Sequence, residues 1–181
     1  MMVPMAESDS TQITEPAHLH DKVLQVERVA IMVYAAITIL GVVAASSLKQ
    51  FVSSEGELIA AAVGASLAVA LAHAWAAVMG HRLVHHEMMS RKQLWAQVRI
   101  AGNLLAVTVM TVATILLSMA TGAAYETTVW VTQGMLVLLL FLVGLLGARW
   151  SGASWAKALA WGVADALIGV GVLLVKVLVG G

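Results

Sequence analysis

The sequence predicts an all-α fold: a polytopic membrane helix bundle of five transmembrane helices with the N-terminus inside. Three observations predict it. Of 181 residues, 61% are hydrophobic and only 11% are charged, whereas a soluble domain is roughly 25% charged. Mean hydropathy is +0.92, and the apolar residues gather into runs near the roughly 20 residues that a helix needs to cross about 30 Å of hydrocarbon. The lysines and arginines, finally, divide unequally between two sides when the chain crosses five times.

The opening residues are polar and mildly acidic, with Pro4 and Pro16. They lack the basic stretch and following apolar run of a signal peptide. Residues 1–27 are therefore read as a disordered polar tail, and 28–181 as one five-helix transmembrane domain. His18 and His20, at i, i+2 in the tail, are read as solvated.

Span one covers about 29–47. Tyr34, Thr38, Gly41 and Ala45 share a face at about 100° per residue. Small and polar residues on one side of a membrane helix mark the side expected to meet other helices. Span two covers about 58–80. Its stripe Ala62, Ser66, His73, Ala77 and Gly80 should face protein. Leu67, Leu71, Trp75 and Val78 lie nearly opposite and should face lipid. Residues 81 to about 98 form the largest polar connection, with His81, Arg82, His85, His86, Glu87, Arg91 and Lys92.

Span three covers about 99–121. Asn103, Thr108, Thr111, Thr114, Ser118 and Thr121 occupy a band of roughly 140°. Such hydroxyls either line a wet path or bond their own helix and its neighbours. Span four, about 129–147, is apolar all round, with Gln133 near its start, and is placed at the periphery on that ground. Span five, about 156–179, follows Arg149-Trp-Ser-Gly-Ala-Ser-Trp155. It sets Asp165 near its middle beside the small residues Ala158, Gly162, Ala166 and Gly169. Leu159, Val163, Leu167, Val170 and Leu174 lie across from them, so the carboxylate is expected to point into the bundle. Lys176 near the far end can snorkel to the interface.

Positive charge is retained on the cytoplasmic side of a membrane. Lys22, Arg28, Arg82, Arg91, Lys92, Arg99, Arg149 and Lys157 fall on one side, and Lys49 and Lys176 on the other. This predicts a cytoplasmic N-terminus and an outer C-terminus. Glu55, Glu57 and Glu126 fall on the outer side, in agreement.

Formal net charge is zero, so no global field attracts nucleic acid; the expected partners are membrane lipid and a second copy or another membrane protein. The absence of cysteine removes disulfides, thiolate metal sites and thiol nucleophiles. No Gly-rich phosphate loop, nucleophile elbow or H-E-x-x-H motif is present, and no complete catalytic set is visible.

Asp165 carries the strongest single signal. A carboxylate at the centre of a membrane helix costs about 2.5–3.5 kcal/mol on insertion scales, so it needs a partner or a proton. It can serve as a structural hydrogen-bond hub to Asn103, Tyr34 or Thr38, as a protonatable relay or ion ligand, or as a contact to a partner within the membrane. His73 is its natural candidate partner, since imidazole changes charge near physiological pH. The plainer reading of His73 is a histidine that bonds a carboxylate or backbone group to stay satisfied. Arg28 is a second candidate, nearer the cytoplasmic face.

The run His81-Arg-Leu-Val-His85-His86 spells H-x-x-x-H-H. Di-iron membrane desaturases and hydroxylases use such boxes, but need about eight histidines over several of them; this chain has six. His81 and His85, one turn apart, are weak candidates for a single transition-metal site. The alternative is a basic turn at the cytoplasmic boundary that meets headgroups. An intramembrane bis-histidine haem needs two facing histidines, and only His73 qualifies. No cofactor is expected.

The segments Val33-Tyr-Ala-Ala-Ile-Thr-Ile-Leu-Gly-Val-Val-Ala-Ala-Ser-Ser47, Leu71-Ala-His-Ala-Trp-Ala-Ala-Val-Met-Gly-His-Arg82, Gly147-Ala-Arg-Trp-Ser-Gly and Leu173-Leu-Val-Lys-Val-Leu resemble a group of small bacterial integral membrane proteins of actinobacterial type. The likeness covers most of the chain after the tail. The group carries an L-A-H-x-Y/W-A segment followed by an H-R pair, which correspond here to His73, Trp75, His81 and Arg82. The resemblance implies a five-helix protein of a bacterial inner (plasma) membrane and no particular activity, substrate or cofactor; His85-His86 lies outside it.

Two functions are carried forward. One is a small proton or cation transporter, or channel-like protein, working through Asp165 and His73 with Tyr34, Asn103 and the threonine stripe. The other is a non-catalytic scaffold or accessory subunit of a membrane complex, whose polar interior only fixes packing. An integral membrane enzyme is least supported.

Overall fold

The computed structural model describes residues 17–46 and 52–180, with side chains from residue 29 onward except 85, 176, 177, 179 and 180. The described residues form five helices and no strand: α1 (Ala17–Ser46), α2 (Glu55–His85), α3 (Arg91–Ala120), α4 (Tyr125–Trp150) and α5 (Trp155–Gly180). All five are long and apolar enough to cross a membrane. The chain thus has the make-up of a multi-pass membrane protein, since helices that satisfy their own backbone are one of the two structures that can span hydrocarbon.

The helices outrun the apolar spans. α1 begins at Ala17, so residues 17–27, expected in the tail, are helical; the rest of the tail, and Lys49, lie outside the described residues. The polar connection after span two is shorter than expected. α2 continues to His85, and α3 starts at Arg91, leaving five residues between them. The sequence Ser90-Arg-Lys-Gln93 explains the second boundary. The Ser90 hydroxyl accepts from the Gln93 N–H at 3.3 Å, and the Gln93 side chain accepts from the Ser90 N–H at 2.8 Å. This reciprocal capping box satisfies two of the helix's unpaired donors. At the start of α2, Ser54 accepts from the Glu57 N–H, and the Glu57 carboxylate accepts from the Ser53 N–H at 2.7 Å. α2 ends on His86, a non-glycine residue at φ 54°, whose N–H donates to the Arg82 carbonyl.

α1 is the hub. It packs against all four other helices, and α4 packs against α1, α3 and α5. The core lies around them: Ala35, Ala36, Ile39, Leu40 and Val43 of α1, Leu104 and Ile115 of α3, and Leu136 and Leu140 of α4 are all at most 1% exposed. α4 is therefore central, which corrects its expected place at the periphery. α5 is the outer helix, with 17% of its spanning window buried against 33% for α4. The physical reason is that lipid tails are as apolar as leucine, so a uniformly apolar helix is not driven outward; close packing decides. Gly144 and Gly147 provide that packing, the first against α5 and the second against Val29 of α1.

Span one is corrected in the same sense. Its small and polar face is not the core face: Tyr34 is 60% exposed, whereas Ile31, Ala35 and Ile39 are buried. In α5 the expected faces hold. Ala158, Gly162 and Gly169 are buried and Leu159, Val163, Leu167, Val170 and Leu174 exposed.

Candidate functional site

Asp165 lies on α5 against α4. A Cβ placed at Gly144 would overlap the Asp165 carboxylate, and one at Gly162 would stand 2.8 Å from the Phe141 carbonyl oxygen. Glycine at 144 thus leaves the room in which the carboxyl sits. The side chain is half-buried, and among the described residues it has no hydrogen-bond or ion-pair partner.

His73 lies elsewhere. It lines two open cavities of about 430 Å³ each, one between α2 and α3 with Gln97 and His81, the other between α1 and α2 with Ile31 and Tyr34. Its Nε2 is buried and has no hydrogen-bond partner among the described residues. α2 packs on α1 and α3, while α5 packs on α4 and α1. Tyr34 of α1 faces the His73 cavity, and Leu40 of α1 faces Gly169 of α5. Six residues at about 100° each put those two positions roughly 120° apart around α1. α1 and its closed core therefore stand between His73 and Asp165, and the candidate Asp–His pair does not form.

The other candidates separate as well. Asn103 is half-buried, with Nδ2 unpartnered. Thr108 faces α2 through a 2.6 Å hydrogen bond to Ser66; Asn103, five residues earlier, is rotated about 140° from that direction. It points away from the His73 groove. Apart from the Thr108 bond to Ser66, the threonine hydroxyls of the stripe turn back on their own helix. Thr108, Thr111 and Thr114 donate to the carbonyls of Leu104, Val107 and Met110 at 3.1, 2.9 and 2.9 Å. Such back-bonding satisfies a threonine in an apolar helix and leaves no row of free hydroxyls to line a wet path. His81 lines the α2–α3 groove, His86 is exposed at the turn, and the His85 side chain lies outside the described residues. Among the described residues no group of three or more histidine, cysteine or acidic side chains is placed to hold a metal.

Gln97 is the residue that the sequence reading missed. It shares the groove with His73, and its Oε1 is buried with no partner among the described residues. Its signal was available: Gln97 and Thr108 are eleven residues apart, within about 20° of the same face. At one end of the bundle, Tyr125 ties α4 to the α1–α2 connection by donating to the Val52 carbonyl at 3.0 Å. On the opposite side, the Arg149 guanidinium lies 4.4 Å from the centre of the Trp155 ring and donates to the Ala153 carbonyl at 2.6 Å. These contacts clamp the turns.

Comparison with known protein families, with curated proteins and with solved structures returns no match.

Proposed function

We propose that this chain is a non-catalytic scaffold or accessory subunit of a membrane complex, and that Asp165 is its contact to another helix within the membrane. One observation carries this reading: the carboxylate stands in the spanning part of the least buried helix, α5, with no partner among the described residues. An unpaired carboxyl in hydrocarbon costs about 2.5–3.5 kcal/mol, and a donor or cation on a docking helix would remove that cost. The partner is another membrane protein or a second copy in a homo-oligomer. The resemblance to small bacterial membrane proteins and the skewed lysine and arginine distribution support a bacterial cell membrane with the N-terminus cytoplasmic.

Transport of a proton or small cation is the second reading. The same unpaired Asp165 favours it, because a lone carboxyl is also a place for a proton or cation. Against it stand the separation of Asp165 from His73 and the closed core between them. Proteoliposome flux discriminates the two. The expected result is no proton or cation flux above empty liposomes, together with an Asp165-dependent association: Asp165→Asn should weaken crosslinking of α5 to its neighbour while the helix content holds. A flux that is present in the wild type and lost in Asp165→Asn would overturn the accessory reading in favour of transport.

A further inference from the structure

Four tryptophans mark two levels of the bundle. Tyr125 donates to the Val52 carbonyl, so α2 and α4 start at one level, and α3 ends there, four residues before α4. Counted from that end, Trp95 stands 25 residues up α3 and Trp150 stands 25 residues up α4, where α5 begins at Trp155. Trp130 lies 20 residues below Trp150 on α4. At 1.5 Å per residue that is about 30 Å, the thickness of the hydrocarbon. All four indoles are at least 65% exposed, as tryptophans at the two membrane–water boundaries are. Trp75 and Trp161 lie about five and six residues further in from the upper ring.

The boundary at Trp95 carries an unusual stripe. Lys92 and Arg99 are seven residues apart and within about 20° of one face of α3, and Trp95 lies between them in height. All three are exposed. Arg99 is four residues further in than Trp95, about 6 Å on the hydrocarbon side of the ring. Among the described residues neither Lys92 nor Arg99 has a hydrogen-bond or ion-pair partner. Side chains tilt toward the start of their helix, and α3 starts at this boundary. Arg99 therefore snorkels past Trp95 toward Lys92. The two Cα atoms are about 10 Å apart along the axis, so the two long side chains can converge on one group above the indole. Glu87 is the one described carboxylate side chain at this end, against Arg82, Arg91, Lys92, Arg99, Arg149 and Lys157.

We infer that Lys92, Trp95 and Arg99 form a binding site for the headgroup of an anionic phospholipid. The occupant must be anionic, because two unpaired cations face it. It must come from the bilayer, because Arg99 stands below the ring, where a water-soluble acidic protein does not reach. A guanidinium grips a phosphate with two parallel hydrogen bonds and a lysine adds a point charge. The acyl chains then run down the exposed face of α3 past Val98 and Leu105. Phosphatidylcholine brings its own quaternary ammonium, which the two cations repel. Phosphatidylglycerol brings none, so the site selects it. This surface is on α3, which is not among the helices packed on α5, so it is independent of the contact at Asp165.

The test uses the full chain in phosphatidylcholine bilayers containing a rising fraction of phosphatidylglycerol, or of phosphatidylcholine, brominated near the top of one acyl chain. Bromine quenches a nearby indole. The signal of Trp95 is isolated as the difference between each protein and the same protein carrying Trp95→Phe. Wild-type Trp95 should prefer phosphatidylglycerol about 25-fold, at about fivefold for each cation. Lys92→Gln and Arg99→Gln should each cut the preference to about fivefold, and the double variant should remove it. Lys157→Gln removes the same charge from α5 and should leave it unchanged. Equal quenching of wild-type Trp95 by the two lipids overturns the proposal. So does a preference that survives the double variant. A loss in Lys157→Gln as large as in Arg99→Gln overturns it in favour of diffuse surface charge. Competition by water-soluble glycerol phosphate as effective as that by phosphatidylglycerol would assign the stripe to free phosphate and overturn it as a lipid site.

Discussion

The α4–α5 and α2–α3 interfaces join neighbouring helices in the same bundle by opposite means. α4 and α5 close on glycine. Gly144, Gly162 and Gly169 each stand where a Cβ would lie 3.0 Å or nearer to an atom across the interface. α2 and α3 are joined by a buried hydrogen bond, Thr108 to Ser66 at 2.6 Å, and enclose a groove nearer the His86 turn. At the first interface Asp165 sits in space that Gly144 leaves. The second leaves a groove lined by His73 and Gln97. The difference teaches that in a membrane bundle a small residue has two uses: it admits a neighbouring helix or it leaves a cavity, and only the partner's position decides which.

Substitutions at the glycines give the largest contrast. Gly162→Leu should destabilise the bundle by about 3 kcal/mol, since the obstacle is the Phe141 backbone and cannot rotate away. Unfolding from mixed micelles measures this, and a loss below about 1 kcal/mol would break the account of the α4–α5 contact. Gly169→Ala should cost less than Gly162→Ala, because its nearest contact is the tip of the flexible Leu140 side chain at 2.9 Å. At the other interface, Gly80→Ala should be neutral or stabilise by up to about 1 kcal/mol through helix propensity, with no clash to offset it. A clear destabilisation there would mean that the groove closes in the membrane. Ser90→Ala should cost about 1 kcal/mol by removing the α3 cap, seen as faster hydrogen exchange at residues 91–94. The smallest effect is the Ser66–Thr108 coupling. A double-mutant cycle with Ser66→Ala and Thr108→Val should return about 0.6 kcal/mol, the usual yield of such bonds between membrane helices.

The number of helices was legible because hydrocarbon thickness sets a length that composition alone reveals. Their ends were partly legible. The Ser90–Gln93 capping box stands in the sequence, but the search for apolar spans passes over polar helical residues such as Arg91 and Lys92. The inward face of α5 was legible from Gly162 and Gly169, where small and large residues alternate sharply. The face of α1 was not, because Tyr34 and Thr38 mark a polar side that the core does not use. α4 was misplaced for the opposite reason: with no contrast around its circumference, nothing in the sequence assigned it a neighbour.

At the candidate site, the sequence singled out Asp165 and His73 as polar groups within spans five and two. Depth follows from counting residues along each helix. Whether two groups at one depth meet depends on the helix that stands between them, and the position of α1 is a property of the packed bundle. The sequence by itself determined five apolar helices, the inward side of α5 and which polar residues the membrane must accommodate, because these rest on length, periodicity and the cost of charge in hydrocarbon. Only the tertiary structure decided that α1 and α4 form the centre, that Asp165 lies beside Gly144 and that His73 shares a groove with Gln97. Those placements rest on which surfaces pack closest, and in an apolar solvent hydrophobicity does not rank them.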